Sequence, residues 1–289
     1  MMLLGEARRP QGWGKYRLQR GLGRLLLYVL LTAGAVLMLL PFYWMITTSF
    51  KTLAEARAIP PIWLPYPPGF ESYVDAWHAA PFARYFFNSA FISSMTMIGE
   101  VITCIFAGYA FAKMKFFGKH VLFMMVLATF MIPGHMLLVP SYVLIRGLGW
   151  FDTYWALIMP WVTSAFGIFL MRQFFRTLPD ELWDAARMDG CPRLRYVLQI
   201  AVPLVRPGIA TVALLQFINS WNSFLWVLVM TDSPHMRTVP VGLRFFQMEM
   251  GTEYPMLMAA STMAIVPIII LFFFAQKHFV RGFARTGVK

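Results

Sequence analysis

The chain has 289 residues, 59% of them hydrophobic and 13% charged, with a formal net charge of +12. Soluble domains carry about a quarter charged residues, so a single water-facing globule is excluded. The basic residues sit in short stretches between long apolar runs, where membrane orientation accounts for them, and no basic stripe with interleaved aromatics marks nucleic acid as a partner.

Apolar runs follow one another at roughly 25 to 46, 86 to 111, 121 to 143, 152 to 175, 205 to 230 and 257 to 279. Each suits a helix of about 20 residues crossing a hydrocarbon layer of about 30 Å. The expected fold is an all-α integral membrane protein with six transmembrane helices. The first run is longer than the core of a secretory signal and follows a basic arm, so it reads as a retained helix. Lys and Arg in the N-terminal arm, 112–120, 171–206 and the tail counted from Lys277 total 19, against 6 in the remaining connections. Both termini and the loop between spans four and five are therefore expected in the cytoplasm. The chain divides into a cytoplasmic arm (1–24), a first span with its external loop (25–85), a core of five spans (86–280) and a cytoplasmic tail (281–289).

Residues 47–85 form the longest external segment, and Pro60, Pro61, Pro65, Pro67 and Pro68 predict an irregular loop rather than a sheet. Its Trp63, Tyr66, Tyr73 and Trp77 suit a membrane interface. In the second span, Ser89, Ser93, Thr96, Glu100, Thr103 and Ala107 alternate steps of four and three, which places them on one inward-looking helix face. Glu100 lies near mid-span, where an ionised carboxylate is expensive unless it meets water or a partner. Two readings stand: part of a water-filled path, or a bond between helices. Pro41, Pro133, Pro140, Pro160 and Pro267 favour kinks within spans.

Cys104 lies in an apolar run and Cys191 in a polar loop, so no disulfide framework is available and neither has a metal-spaced neighbour. His78, His120, His135, His235 and His278 are scattered, without the catalytic set of a membrane-embedded enzyme. Gly118-Lys119 is followed by His120 and Gly14-Lys15 by Tyr16, so neither is a phosphate loop.

Residues 177–203 predict two short helices joined at a glycine. Thr177 is placed to cap the first with Asp180 three residues on, and Gly190 to end it. Pro192 is placed to open the second, with Leu194, Val197, Leu198 and Ala201 along one side. In the fifth span Gln216, Asn219 and Ser223 share a face, with Ser220, Trp221 and Asn222 adjacent. Amides beside an indole suit a sugar, whose hydroxyls need donors and acceptors and whose ring faces stack on aromatics. Amides also join transmembrane helices.

Asp184-Ala185-Ala186, Asp189-Gly190 and, after nine residues, Ile200-Ala201-Val202-Pro203 resemble the EAA loop of ABC-importer permeases, with Asp184 for the leading glutamate and Cys191 for the alanine usual after the glycine. Thr48-Ser49-Phe50-Lys51, Tyr85-Phe86-Phe87-Asn88-Ser89, Tyr109-Ala110-Phe111-Ala112, Met131-Ile132-Pro133, Gly147-Leu148-Gly149, Trp221-Asn222-Ser223-Phe224 and Gly287-Val288-Lys289 are similar to the carbohydrate branch of that family.

The resemblance implies a type I importer permease fold in a bacterial inner membrane, with no catalytic residue, metal or cofactor on this chain. It implies two cytoplasmic ATPase subunits carrying ATP and Mg, a second related permease, an extracytoplasmic solute-binding protein and a carbohydrate substrate. Asp184, Ala185, Ala186, Asp189, Gly190, Cys191, Ile200 and Pro203 are then the ATPase-coupling residues, and Glu100, Gln216, Asn219 and Asn222 candidates for the translocation path. The alternative is a secondary transporter or channel working alone through Glu100.

Overall fold

Apolar runs in lipid must satisfy their backbone groups internally, and the chain does so with helices. The computed structural model describes residues 13–244, 246 and 253–284, among which there is no strand. The first twelve residues of the arm and the tail from 285, with its Gly287-Val288-Lys289 motif, lie outside the described residues.

Helix α1 (Trp13–Ser49) runs through Pro41 without a break. It packs against α14 (Tyr254–Ala284), itself continuous through Pro267. Most of its apolar stretch Gly23–Ser49 is otherwise bare, with Leu37 and Met38 74% exposed, as suits a surface solvated by acyl chains.

The segment after α1 is more ordered than its prolines predict. It holds α2 (Leu53–Ala56) and α3 (Glu71–Ala79). The Ser49 and Tyr73 hydroxyls bond at 2.7 Å, Gly69 donates its N–H to the Phe50 carbonyl, and the Phe50 ring meets Phe70 and Tyr73. Lys51 closes this clamp, its ammonium 3.2 Å from Thr48 Oγ1 and 3.8 Å from the centre of the Trp44 ring.

Helix α4 (Phe82–Lys113) is the central post, packed against α8 (Ala165–Arg176) and α11 (Arg206–Trp221). Small residues allow this closeness: a Cβ on Gly108 would stand 2.7 Å from Met171 Cβ, and one on Gly208 2.4 Å from the Phe174 ring. Where α4 ends, its carbonyls meet cations, as the helix dipole favours. Lys119 Nζ donates to the carbonyls of Ala112 and Met114, and Arg172 Nε to that of Phe111.

Three expected spans are bent or interrupted rather than straight. The run at 121–143 is split into α5 (Lys119–Phe130) and a second piece, a 3-10 turn at Gly134–Leu137 leading into α6 (Leu138–Gly147). The two pieces stand at 89°. Pro133 supplies no N–H and is extended, at φ −60° and ψ 124°, which stops the first piece. The fourth span is α7 (Tyr154–Ile158), a 3-10 turn at Met159–Trp161 holding Pro160, and α8, with a 40° bend. The fifth is α11 and α12 (Leu225–Met230), interrupted at Asn222–Phe224. Among the described residues, three helices are long and apolar enough to cross a membrane, and up to six if each bent pair is one span, the third pair being Arg193–Leu204 with α11.

At the opposite end of α4 from Lys113, Asn88 donates to the carbonyls of His235 and Arg237 and accepts from the Tyr154 hydroxyl, while Ser89 Oγ accepts from Val239 N–H. These bonds hold the 231–238 connection and α13 (Val239–Leu243) against α4.

Candidate functional site

The helix interruptions meet. A cavity of about 320 Å³ is lined by Gly134 and His135 from the break before α6, by Trp161 at the break before α8, by Ser223 and Phe224 from the break after α11, and by Trp226 in the first turn of α12. Gln216, Asn219, Ser220 and Asn222 complete its polar side. Three candidate path residues, Gln216, Asn219 and Asn222, are thus on one wall, with Asn219 and Asn222 exposed to the space. Gln216 is buried behind them, its amide donating to the Trp161 carbonyl at 3.3 Å.

The indole beside the amides is not Trp221. That ring is buried, stacked on Phe217 and tilted against Phe86. The aromatic surface comes from Trp161 and Trp226, whose rings meet edge to face at 5.3 Å, and Trp226 Nε1 is fixed on the Ala156 carbonyl. Sequence reading missed both and His135, because they come from separate breaks that no single helical period joins. Pro133 and Pro160 beside two of those breaks were the available signal.

The polar face of α4 does look inward. Ser89, Ser93, Thr96 and Glu100 are buried, while Thr103 and Ala107 are half-buried. Glu100 lies in the contact between α4 and α8, outside the cavity lining. Its Oε1 accepts from the Ser164 hydroxyl, and its Oε2 has no hydrogen-bond partner among the described residues.

The 177–203 loop forms α9 (Glu181–Met188) and a second helix, α10 (Arg193–Leu204), with a wider π turn at Val197–Ala201. Thr177 does not cap α9. It ends α8 and donates its hydroxyl to the Phe174 carbonyl, since α9 begins four residues later. Asp180 precedes α9 without capping it and instead takes Lys113 Nζ at 2.6 Å. That hydrogen bond and the Lys113 charge hold the Asp180 carboxyl below its ordinary value.

Gly190 ends α9 as expected. At φ +71°, it donates to the Arg187 carbonyl while Cys191 N–H reaches Ala186. These two bonds make a Schellman closure, which needs a left-handed residue. Asp184, Ala185 and Asp189 are exposed, Ala186 is buried, and Cys191, Ile200 and Pro203 are half-buried.

The residues read along one side of α10 are divided: Val197 and Ala201 are buried together with Tyr196, whereas Leu194 and Leu198 are 59% and 49% exposed. The π turn adds a residue to the cycle and rotates the later positions away from an i, i+3, i+4 stripe. Trp183 locks α9 on α10, its ring 5.1 Å from Tyr196 and beneath the Arg193 guanidinium.

Comparison with known proteins places residues 101–285 in a match to the family described as binding-protein-dependent transport system inner membrane component. The arabinooligosaccharides transport system permease protein AraQ of Halalkalibacterium halodurans is 40% identical over 71% of this chain and 74% of its own length. The inner membrane ABC transporter permease protein YcjP of Escherichia coli is 32% identical over 94% and 98%. A crystal structure of a bacterial ABC transporter involved in the import of the acidic polysaccharide alginate superposes with a TM-score of 0.82 at 25% identity, over 91% of this chain and 98% of that one.

Proposed function

This chain belongs to the family of binding-protein-dependent transport system inner membrane components, and on that premise we propose that it is the permease subunit of an ATP-driven sugar importer in a bacterial inner membrane. It forms the path with a second, related permease. Two cytoplasmic ATPase subunits carry ATP and Mg, and an extracytoplasmic solute-binding protein delivers the sugar. The charge count supports the orientation, with 19 Lys and Arg assigned to the cytoplasmic segments against 6 elsewhere.

One observation carries the coupling reading. Helix α10 joins α11 through a bend of 82°, and the far end of α11 bears Gln216 and Asn219, with Asn222 directly after it. A push on the loop at Asp184–Cys191 therefore reaches the cavity wall through two helices in sequence. The loop also presents Met188, Leu194 and Leu198, apolar and exposed, to whatever docks on it. Docking biases the cavity only if the loop's contacts differ between its two states. The amides supply donors and acceptors for sugar hydroxyls, and Trp161 and Trp226 supply ring surface.

Uptake into cells expressing the complete transporter separates this reading from a stand-alone transporter using Glu100. Loss of uptake on ATP depletion, with persistence after collapse of the proton gradient, supports the importer. The reverse pattern contradicts it.

A further inference from the structure

Three positions of α4 within about one turn, Gly99, Glu100 and Thr103, grip the break that separates α7 from α8. Thr103 Oγ1 donates to the Val162 carbonyl at 2.6 Å, and Glu100 Oε1 accepts from the hydroxyl of Ser164, the residue that caps α8 by accepting Gly167 N–H. Gly99 gives the room: a Cβ there would lie 2.7 Å from Val162 Cγ1. Gly167 does the same from the other side, since a Cβ on it would meet Glu100 Oε1 and Cys104 Sγ at 2.6 Å. The break thus has its backbone carbonyl and its cap both held from α4, where irregular backbone at membrane depth needs partners within the protein.

The residue just before this break is Trp161, which lines the cavity, meets the Trp226 ring and gives its carbonyl to Gln216. We propose that Glu100 and Thr103 are positioning residues for the cavity: by fixing Val162 and Ser164 they set where Trp161 and Gln216 stand. Neither touches the cargo. Glu100 acts as a hydrogen-bond acceptor for Ser164, not as a charge on the path. This rests on the importer reading only for the identity of what the cavity carries; the placement of Trp161 is a property of the chain.

The test labels the full chain with 5-fluorotryptophan and holds it with its co-purifying subunits in lipid nanodiscs. Fluorine resonances of Trp161 and Trp226 are assigned by their loss in Trp161→Phe and Trp226→Phe. Thr103→Val and Glu100→Leu each move both resonances by more than a linewidth, while Glu100→Gln, which keeps a carbonyl for Ser164, leaves them in place. Trp183, in α9, holds still throughout.

Unmoved cavity resonances in Thr103→Val and Glu100→Leu overturn the proposal, as does an equal shift in Glu100→Gln or a matching shift of Trp183. Should Glu100→Leu fail to assemble, Thr103→Val decides alone, since it removes one hydroxyl at nearly constant volume. The importer reading is checked separately on the unsubstituted sample by ATP hydrolysis, so either idea can fail without the other.

Discussion

Lys113, the last residue of α4, reaches 2.6 Å from the carboxylate of Asp180, the residue before α9. One ion pair therefore ties the central post to the loop. The carboxylate side is widely exposed, with 81% of the Asp180 side chain accessible, so its contribution is to direction more than to stability. Asp180→Asn lowers the sugar carried per ATP hydrolysed by a factor of about 2 to 5 while leaving assembly intact, as expected of an exposed pair. Because the carboxyl is held below its usual value, the pair is present at neutral pH and lost only as pH falls through and below the ordinary carboxylate range. Coupling measured between pH 6 and 8 should accordingly show no inflection from this residue.

Gly190 has open space around the position a Cβ would take, so a substitution there acts through the backbone alone. At φ +71° a β-branched residue is strained by about 1–2 kcal/mol. Gly190→Val impairs uptake with normal membrane insertion, and Gly190→Asn, which tolerates the left-handed region, retains most of it. Membrane-fraction blots beside uptake assays read both.

Gly108 of α4 faces Met171 and Arg172 of α8 with no room for a Cβ. Gly108→Ala puts a Cβ 3.0 Å from Arg172 N and 2.7 Å from Met171 Cβ, which the packed helices relieve only by separating. Overpacking of this kind destabilises by about 1–3 kcal/mol, and the variant should melt at lower temperature in mild detergent than the parent.

Asn219 and Asn222 face the cavity space, whereas Trp221 between them is turned into the core. Asn219→Ala or Asn222→Ala removes a hydrogen bond worth about 1 kcal/mol, raising the KM of uptake about fivefold with little change in ATP hydrolysis. A KM unchanged in both variants would show that the cargo does not touch this wall.

Period and composition reach the helices that are continuous and the face of α4 that is buried, because one helix face obeys one spacing. Gly190 was legible for the same reason: a glycine between two amphipathic stretches leaves few backbone options. What the spacing missed are the breaks. Whether Pro133 bends a span or splits it at 89° depends on the neighbours around it, and the pieces on either side of that break pack on α8 and α12. Trp161 and Trp226 were hidden for that reason, and the stripe read along one side of α10 is divided, with Val197 and Ala201 buried and Leu194 and Leu198 exposed. Thr177 followed the capping pattern in sequence, but α8 extends to Arg176 and takes it as its own end.

The central claim, a permease driven by separate ATPases through the 177–203 loop, is tested most directly by purifying this chain with its native partners in mild detergent. The account predicts recovery of an ATPase pair and a second permease, with ATP hydrolysis stimulated by the loaded solute-binding protein. Recovery of the chain alone, moving solute without ATP, would contradict it.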